Sequence, residues 1–189
     1  MKSEVILVTG DAGFIGFHLS KKLLDQGKTV VGVDCLNDYY DVNLKLDRLK
    51  ILEKYKNYKH YTIDMANKKQ FMETLKEEKI KIICHLAAQA GVRYSIENPE
   101  EYVKSNLIGF FNLLEFARNN SISHFLAAST SSVYGANKEM PFKESQKTEH
   151  QLSFYAATKK ANEVMAHSYS HINNIPITMF RFFTVYGPW

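Results

Sequence analysis

Cysteine, proline and long apolar runs are all scarce in this sequence. The two cysteines, Cys35 and Cys84, lack C-x-x-C spacing, which argues against a disulfide framework and for two reduced, packed thiols. No apolar run is long enough to span a bilayer. The N-terminal residues lead directly into an apolar run, without the pattern of a signal peptide. We therefore expect a cytoplasmic protein without a membrane partner.

Large blocks of like charge are absent as well. The 189 residues include 24 Lys and Arg against 20 Asp and Glu, and the lysines fall in short groups such as 21–22, 68–69 and 159–160. A nucleic-acid partner is not expected, because such partners require a concentrated basic surface. Hydrophobic residues make up 45% of the chain, which is ordinary for one globular domain of this length.

Short apolar runs alternate with amphipathic stretches along the chain. This alternation predicts a Rossmann-like α/β fold over residues 1–189, a doubly wound parallel sheet with helices on both faces. Asn98 and Pro99 predict a helix start, as a cap residue and a proline at the first helical position. The predicted strands are 5–8, 29–33, 58–63, 80–86, 124–128 and 177–183, and the predicted helices are 14–26, 42–55, 67–78, 98–119 and 153–173.

A glycine loop joins the first predicted strand to the first helix. Gly10, Gly13 and Gly16 have G-x-x-G-x-x-G spacing. The first permits a tight turn, the second lets the backbone approach a pyrophosphate, and the third lets the helix pack close to the strand. The helix N-terminus supplies free N–H groups for the anion. The position of the loop between a strand and a helix therefore predicts a dinucleotide site.

An acid ends the second predicted strand. Asp34 lies about twenty residues beyond the loop, where an acid accepts hydrogen bonds from the adenosine ribose. An acid there repels a 2′-phosphate and no arginine follows it directly, so we expect NAD rather than NADP. Asp64, after the third strand, is a candidate for contacting adenine, although a role in forming the turn is nearly as well supported.

Tyr155 and Lys159 lie four residues apart on a predicted helix and so share one face. A neighbouring ammonium stabilises a phenolate and lowers the pKa of a tyrosine from its usual value of about 10. Tyr155 is therefore a candidate general base for a sugar hydroxyl. The Y-x-x-x-K pattern alone also fits a surface helix. Its catalytic interpretation depends on the dinucleotide loop and on a strand that ends in Ser129-Thr130.

These motifs resemble those of the extended short-chain dehydrogenase/reductases. Within that superfamily the chain is similar to NAD-dependent nucleotide-sugar epimerases, and above all to the UDP-glucuronate 4-epimerases. The resemblance covers essentially the whole chain. It rests on residues 9–16 (TGDAGFIG), 85–95 (HLAAQAGVRYS), Asn106, 129–135 (STSSVYG), 155–159 (YAATK) and 181–189 (RFFTVYGPW).

The resemblance implies NAD as cofactor and a reaction at the sugar. Tyr155 would remove the 4′-hydroxyl proton while hydride passes from C4′ to NAD, and the 4-keto sugar would turn over and receive the hydride on its other face. Thr130 would hydrogen-bond the 4′-oxygen, and Lys159 would hold the nicotinamide ribose. The implied cofactor-binding residues are Gly10, Gly13, Phe14, Ile15, Gly16, Asp34, Asn37, Asp64, Met65, Leu86, Ala87, Ala88 and Lys159.

The two residues after Thr130 separate sister reactions. Related sugar-nucleotide 4,6-dehydratases carry Asp-Glu there and UDP-glucuronate decarboxylases carry Glu at the second place, whereas this chain has Ser131-Ser132. Two hydroxyls suit a sugar carboxylate, which a Glu would repel. We therefore expect conversion of UDP-glucuronate to UDP-galacturonate. The alternatives are another UDP-sugar 4-epimerase, a decarboxylase or dehydratase relative, and serines that only cap a strand.

The resemblance also bears on the rest of the substrate site, assembly and length. The other implied substrate-binding residues are Arg93, Tyr155 and Thr184, and the implied homodimer forms through the helices near 101–119 and 153–173. Packing against the sheet accounts for part of that apolar surface. Relatives continue past the last strand into a part that binds the UDP group. Two classes of function stay open: an epimerase active in a longer form, and an NAD-binding module without turnover.

A metal site is not expected in this chain. His167 and His171 lie four residues apart on a predicted helix, but no Glu lies between them and no third ligand is in view. A polar or interface-facing helix is the better interpretation of these two histidines.

Overall fold

One parallel sheet forms the centre of the computed structural model, which describes residues 4–189. Its strands are β1 (Val5–Thr9), β2 (Thr29–Asp34), β3 (Tyr58–Thr62), β4 (Ile80–His85), β5 (His124–Thr130) and β6 (Ile177–Phe182). They lie in the order β3-β2-β1-β4-β5-β6, and every neighbouring pair is parallel. This order confirms the doubly wound α/β fold, because the winding reverses between β1 and β4.

Helices cover both faces of the sheet. They are α1 (Phe14–Asp25), α2 (Val42–Leu52), α3 (Lys68–Leu75), α4 (Tyr94–Glu97), α5 (Pro99–Tyr102), α6 (Phe110–Arg118) and α7 (Phe154–Asn173). A π-helical segment (Val103–Gly109) joins α5 to α6, and a 3₁₀ turn (Ser131–Tyr134) follows β5. Ser153 caps α7, where its Oγ accepts the N–H of Ala156 at 3.1 Å. This cap fixes the start of the helix that carries Tyr155.

Alternate residues of the central strands supply two apolar layers. On one face, Leu7 and Val31 pack with Leu113 and other residues of α3, α6 and α7. On the other face, Val8 packs with Phe17 and other residues of α1 and α2. Successive side chains of a strand point to opposite faces, so strands covered on both sides are apolar throughout.

The helix predicted over 98–119 begins where expected, with Asn98 at the N-cap position and Pro99 in the first turn, but it is not one regular α-helix. Asn98 ends α4 and makes no capping hydrogen bond through its side chain, and the backbone widens to a π-helix in the middle of the stretch. The buried Asn106 lies in that wider segment. Its Oδ1 accepts the N–H of Gln89 at 2.8 Å, and its Nδ2 donates to Gln89 O at 3.0 Å and to Thr158 Oγ1 at 3.1 Å. This tertiary tie to the loop after β4 has no signature in helix propensities.

Both cysteines are free. Cys84 is partly buried on β4, but Cys35 is exposed after β2, so the expectation that both thiols are packed is wrong for Cys35. Among residues 4–189, none of the helices combines the length and the apolar composition needed to cross a bilayer.

Candidate cofactor and active site

The glycine loop, residues 10–16, holds a shape that side chains would prevent. Gly10 has φ +76°, and its N–H donates to Val33 O on β2 at 2.7 Å. A Cβ at Gly10 would lie 2.7 Å from the backbone nitrogen of Ala87, and a Cβ at Gly16 would lie 1.9 Å from the Gly10 oxygen. The same oxygen accepts the N–H of Gly13 at 3.0 Å. The loop therefore closes tightly against β2 and against the residues after β4.

A cavity of about 180 Å³ lies at the carboxyl ends of β1, β2 and β4. This is the point where the sheet reverses its winding, and doubly wound folds bind their ligands there. Phe14, Ile15 and Gly16, at the start of α1, and Lys159, on α7, do not line it. The predicted cofactor residues that line the cavity are Gly10, Gly13, Asp34, Asn37, Asp64, Met65, Leu86, Ala87 and Ala88.

Asp34 borders this cavity and also shapes the turn after β2. Its Oδ1 accepts the N–H of Leu36 at 2.8 Å. Burial raises the pKa of Asp34, while the hydrogen bond from Leu36 and the charge of Lys45 oppose the rise. Lys45 donates to the backbone oxygen of Asn37 at 2.7 Å and to its Oδ1 at 2.6 Å. The carboxylate is therefore the anionic end of a small polar cluster on the cavity wall.

The sequence analysis did not identify two basic residues that lie close to the glycine loop and the cavity. Lys45 and Arg48 are buried on α2, and Arg48 Nη1 donates to the Ala12 oxygen of the glycine loop at 3.1 Å. Positions 45, 48, 49 and 52 have the spacing of one helix face, and all four are buried. That spacing was available in the sequence, and it places two cations on the side of α2 that faces the loop.

Asp64 lines the cavity and forms a turn as well. Its Oδ1 accepts the N–H of Ala66 at 2.9 Å, and its Oδ2 pairs with Lys104 at 2.8 Å. Both interpretations of Asp64 thus have structural support, and contact with adenine stays a prediction.

Tyr155 and Thr130 meet where α7 begins and β5 ends. Burial raises the pKa of Tyr155, and hydrogen bonding with Thr130 opposes that rise. The expectation that Lys159 lowers this pKa is therefore wrong for the structure, because burial dominates. The ring of Tyr102 lies edge-on to Tyr155, with the ring centroids 6.0 Å apart. Lys159 follows one helical turn later and is 2% exposed. Burial lowers the pKa of Lys159 to about 8, against the favourable charge of Glu163, so the ammonium keeps its proton at neutral pH.

Glu163 links α7 to β5 and β6 through hydrogen bonds. The sequence analysis did not identify this residue. Ser129 Oγ donates to Glu163 Oε1 at 2.6 Å. Arg181, on β6, donates to both carboxylate oxygens, from Nε at 2.9 Å and from Nη2 at 3.0 Å. Residues 155, 159 and 163 share one helix face. That spacing is a signal in the sequence, and the paired carboxylate fixes the helix against the strand that carries Thr130.

The candidate substrate residues are brought together only in part. Thr130 Oγ1 accepts the N–H of Ser132 at 3.2 Å and lies 3.3 Å from its Oγ. Ser131 and Ser132 are partly buried and directly follow Thr130. Their positions fit both a role in capping the end of β5 and a role in binding the sugar. Arg93 and Thr184 are exposed, and neither lines the cavity.

Comparison with known proteins places this arrangement in a family. The profile of the GDP-mannose 4,6 dehydratase family matches residues 7–189. The chain belongs to this family. Protein CapI of Staphylococcus aureus is 54% identical over 97% of this chain and 55% of that protein.

Other proteins similar to this chain carry epimerase names. The probable UDP-glucuronate 4-epimerase of Rhizobium meliloti is 50% identical over 97% of this chain and 54% of that protein. The crystal structure of a Bacillus cereus UDP-glucuronic acid 4-epimerase in complex with UDP-glucuronic acid and NAD has a TM-score of 0.88 at 36% identity, over 97% of this chain and 58% of that chain. These likenesses confirm the resemblance to nucleotide-sugar epimerases. The chain spans about half the length of the curated relatives it matches.

Proposed function

We propose that the chain is the cofactor-binding part of an NAD-dependent UDP-sugar 4-epimerase. One observation carries the proposal: Tyr155 meets Thr130 at the end of β5, in the same layer of strand ends as the glycine-walled cavity. A base beside a dinucleotide site is what oxidation of a hydroxyl requires. The epimerase names of the relatives support the same conclusion.

The residues around the cavity fit a dinucleotide. The glycine loop offers a cradle that a Cβ at Gly10 or Gly16 would fill, and the N-terminus of α1 follows it with free N–H groups for a pyrophosphate. Asp34 supplies the acceptor for ribose hydroxyls and repels an added phosphate, which favours NAD over NADP. Lys45 is engaged with Asn37 and Asp34 Oδ1 with the N–H of Leu36, so Asp34 Oδ2 is the oxygen proposed to accept from the ribose.

The catalytic residues of the proposed reaction are Tyr155, Thr130 and Lys159. NAD bound beside these residues would supply the acceptor, and later the donor, of the C4′ hydride. Thr130 holds the 4′-oxygen, and Tyr155 takes its proton and gives it back to the 4-keto oxygen after the sugar has turned over. Lys159 keeps its charge at neutral pH and, one helical turn from Tyr155, would hold the nicotinamide ribose. The Glu163–Arg181 pair holds these groups in register across α7, β5 and β6.

The proposed substrate is UDP-glucuronate, with UDP-galacturonate as product. The argument rests on Ser131 and Ser132, which offer hydroxyls and no acid beside Thr130. Elimination of water needs an acid and a base beyond the tyrosine, so a dehydratase reaction is disfavoured despite the family's name. The names of several relatives, from Rhizobium meliloti and from Arabidopsis thaliana, agree with this choice.

A second copy of the chain is the proposed partner. Apolar side chains stand exposed along the two helical regions that the resemblance points to, and such patches on soluble proteins mark interaction sites. The exposed residues are Val103, Ile108 and Phe111 on one stretch, and Phe154, Val164 and Ile172 on α7.

The proposed chemistry is tested by Tyr155→Phe in a form of the protein as long as its relatives. The variant is expected to bind NADH normally and to lose roughly 10²- to 10⁴-fold in kcat, the usual contribution of a positioned acid–base group. Conversion of UDP-glucuronate to UDP-galacturonate is the measurement. Tyr169→Phe on the same helix is the control, because its hydroxyl bonds Glu115 away from the site.

Two results would contradict the proposal. A normal rate of UDP-galacturonate formation by Tyr155→Phe would show that Tyr155 is not the base. Release of carbon dioxide by the unmodified enzyme would show a decarboxylase instead of an epimerase.

A further inference from the structure

Asp11, the residue between Gly10 and Ala12 of the glycine loop, carries a carboxylate that the proposed reaction does not use. Its side chain is fully buried. Its Oδ2 accepts a hydrogen bond from the hydroxyl of Tyr58 and lies 2.9 Å from Nδ1 of His60. Its Oδ1 has no hydrogen-bond partner. A buried charge of this kind is costly unless it is paired.

Three separate segments fit together around this carboxylate. Asp11 belongs to the loop, and Tyr58 and His60 lie on β3, which is the edge strand of the sheet. Gly32 of β2 lies between them, in register with His60. A Cβ at position 32 would come within 1.7 Å of Asp11 Oδ2. The carboxylate therefore crosses β2 at its glycine and ties the cofactor loop to β3.

The imidazole of His60 lies among negative groups. Besides Asp11, the carboxylate of Asp34 on β2 and that of Glu53 after α2 act on it, and its Nε2 lies 3.1 Å from Thr62 Oγ1. Burial lowers the pKa of His60, but hydrogen bonding to Asp11 and the three negative charges outweigh burial and raise it. Burial and the charge of Asp11 raise the pKa of Tyr58, which therefore stays a neutral donor.

We propose that Asp11 and His60 are a proton-linked pair of positioning residues for the cofactor loop. Protonated His60 neutralises the Asp11 carboxylate under the loop. When His60 loses its proton, an uncompensated charge is left beneath the site of an anionic pyrophosphate and on the same sheet face as Asp34. The inference rests on the proposed function, because it assumes that the loop binds NAD.

The sign of the effect follows from linkage. An anion binds better to the loop when His60 is charged, so affinity for NADH is highest at low pH and falls as the pH rises through the pKa of His60. By the same linkage, bound NADH raises the pKa of His60. A purely structural pair would change stability on substitution but would give the affinity no step that depends on His60.

The test is a titration of the chain with NADH from about pH 6 to about pH 9, a range that begins near the ordinary pKa of a histidine and extends upward, the direction in which the pKa of His60 is shifted. The wild type is expected to weaken by about fivefold, or roughly 1 kcal/mol, across that range. His60→Gln keeps a hydrogen-bond donor but no titrating group at this position. It is expected to bind weakly and to lose the His60 step, which leaves only the fall in affinity that follows from Lys159, whose pKa is about 8. Asp11→Asn removes the charge that His60 neutralises and is expected to give the same reduced pH dependence.

His18→Gln is the matched control. His18 lies on α1 near the loop, and its Nε2 lies 2.9 Å from Pro188 O, so it is a histidine close to the loop that has no part in the Asp11–His60 pair. This variant is expected to keep the wild-type slope. A wild-type slope in His60→Gln, or a flat wild type, would overturn the proposal.

A measurement on the unaltered chain covers the case in which the variants fail to fold. The ring of His60 is titrated by NMR with and without NADH, and its pKa is expected to rise by at least about half a unit on binding. An unchanged pKa overturns the proton linkage and leaves the proposed function standing. Absence of NADH binding at every pH overturns the proposed function, and the linkage with it.

Discussion

Two carboxylates near the cofactor loop, Asp11 and Asp34, show how a residue's role depends on what surrounds it. Asp11 is sealed under the loop between Tyr58 and His60. Asp34 sits at the rim of the cavity, with one oxygen bonded to Leu36 N. The first is placed to hold the loop. The second lines the cavity, and we propose that it meets the cofactor ribose and selects NAD over NADP.

The role proposed for the single residue Asp34 predicts a preference for NADH over NADPH. NADPH is expected to bind the chain at least about tenfold more weakly than NADH, because Asp34 repels the added phosphate. Asp34→Ala is expected to narrow that ratio, with the ammonium of Lys45 nearby. Asp38→Ala removes an exposed acid four residues away and serves as the control. Equal affinities in the wild type, measured by calorimetry, would show that Asp34 does not face the ribose.

Helix α7 shows, for a whole element, that the roles of residues depend on what surrounds them. Its capped start presents Tyr155, and Lys159 and Glu163 follow on the buried face against β5. The spacing of these residues, and hence the helix, follows from the sequence. By contrast, the π-helical segment before α6 was not predicted. This segment contains Asn106, which contacts Gln89 and Thr158. Both partners are distant from Asn106 in the chain.

The outer faces of these helices carry the prediction about assembly. Ile108 and Val164 are 45% and 59% exposed, and burial in a dimer would remove both from water. Ile108→Glu or Val164→Glu is expected to weaken self-association at least about tenfold, because a buried unpaired charge is costly. Leu46→Glu, on α2 across the sheet, is the control. Sedimentation equilibrium is the measurement, and unchanged association in both variants would place the interface elsewhere.

At the scale of the whole molecule, the chain spans about half the length of its curated relatives. The predicted loop, acid and tyrosine–lysine pair all lie within it. Thr130, Ser131, Ser132 and Thr184 are the groups that we propose for contact with the polar part of a sugar. Binding energy from the remote UDP group is what orients a reacting carbon, and the relatives' additional length is where we expect that group to bind.

The 189 residues alone are therefore expected to bind NADH without catalysing epimerisation. Affinity for UDP-glucuronate is expected to be weaker than about millimolar, near the lower limit of useful recognition. Calorimetry with UDP-glucuronate and a coupled assay for UDP-galacturonate are the measurements. Micromolar binding or steady turnover by this chain would mean that the substrate site lies within these residues.

The sequence by itself determined the α/β winding, the glycine loop, Asp34 and the Tyr155–Lys159 pair, because each depends on spacing within one strand–helix unit. Only the tertiary structure decided the Asp11–His60 pair, the Glu163–Arg181 pair and the ties of Asn106. Each of these joins residues from different elements. Such contacts are set by strand register and helix packing, which a local pattern does not contain.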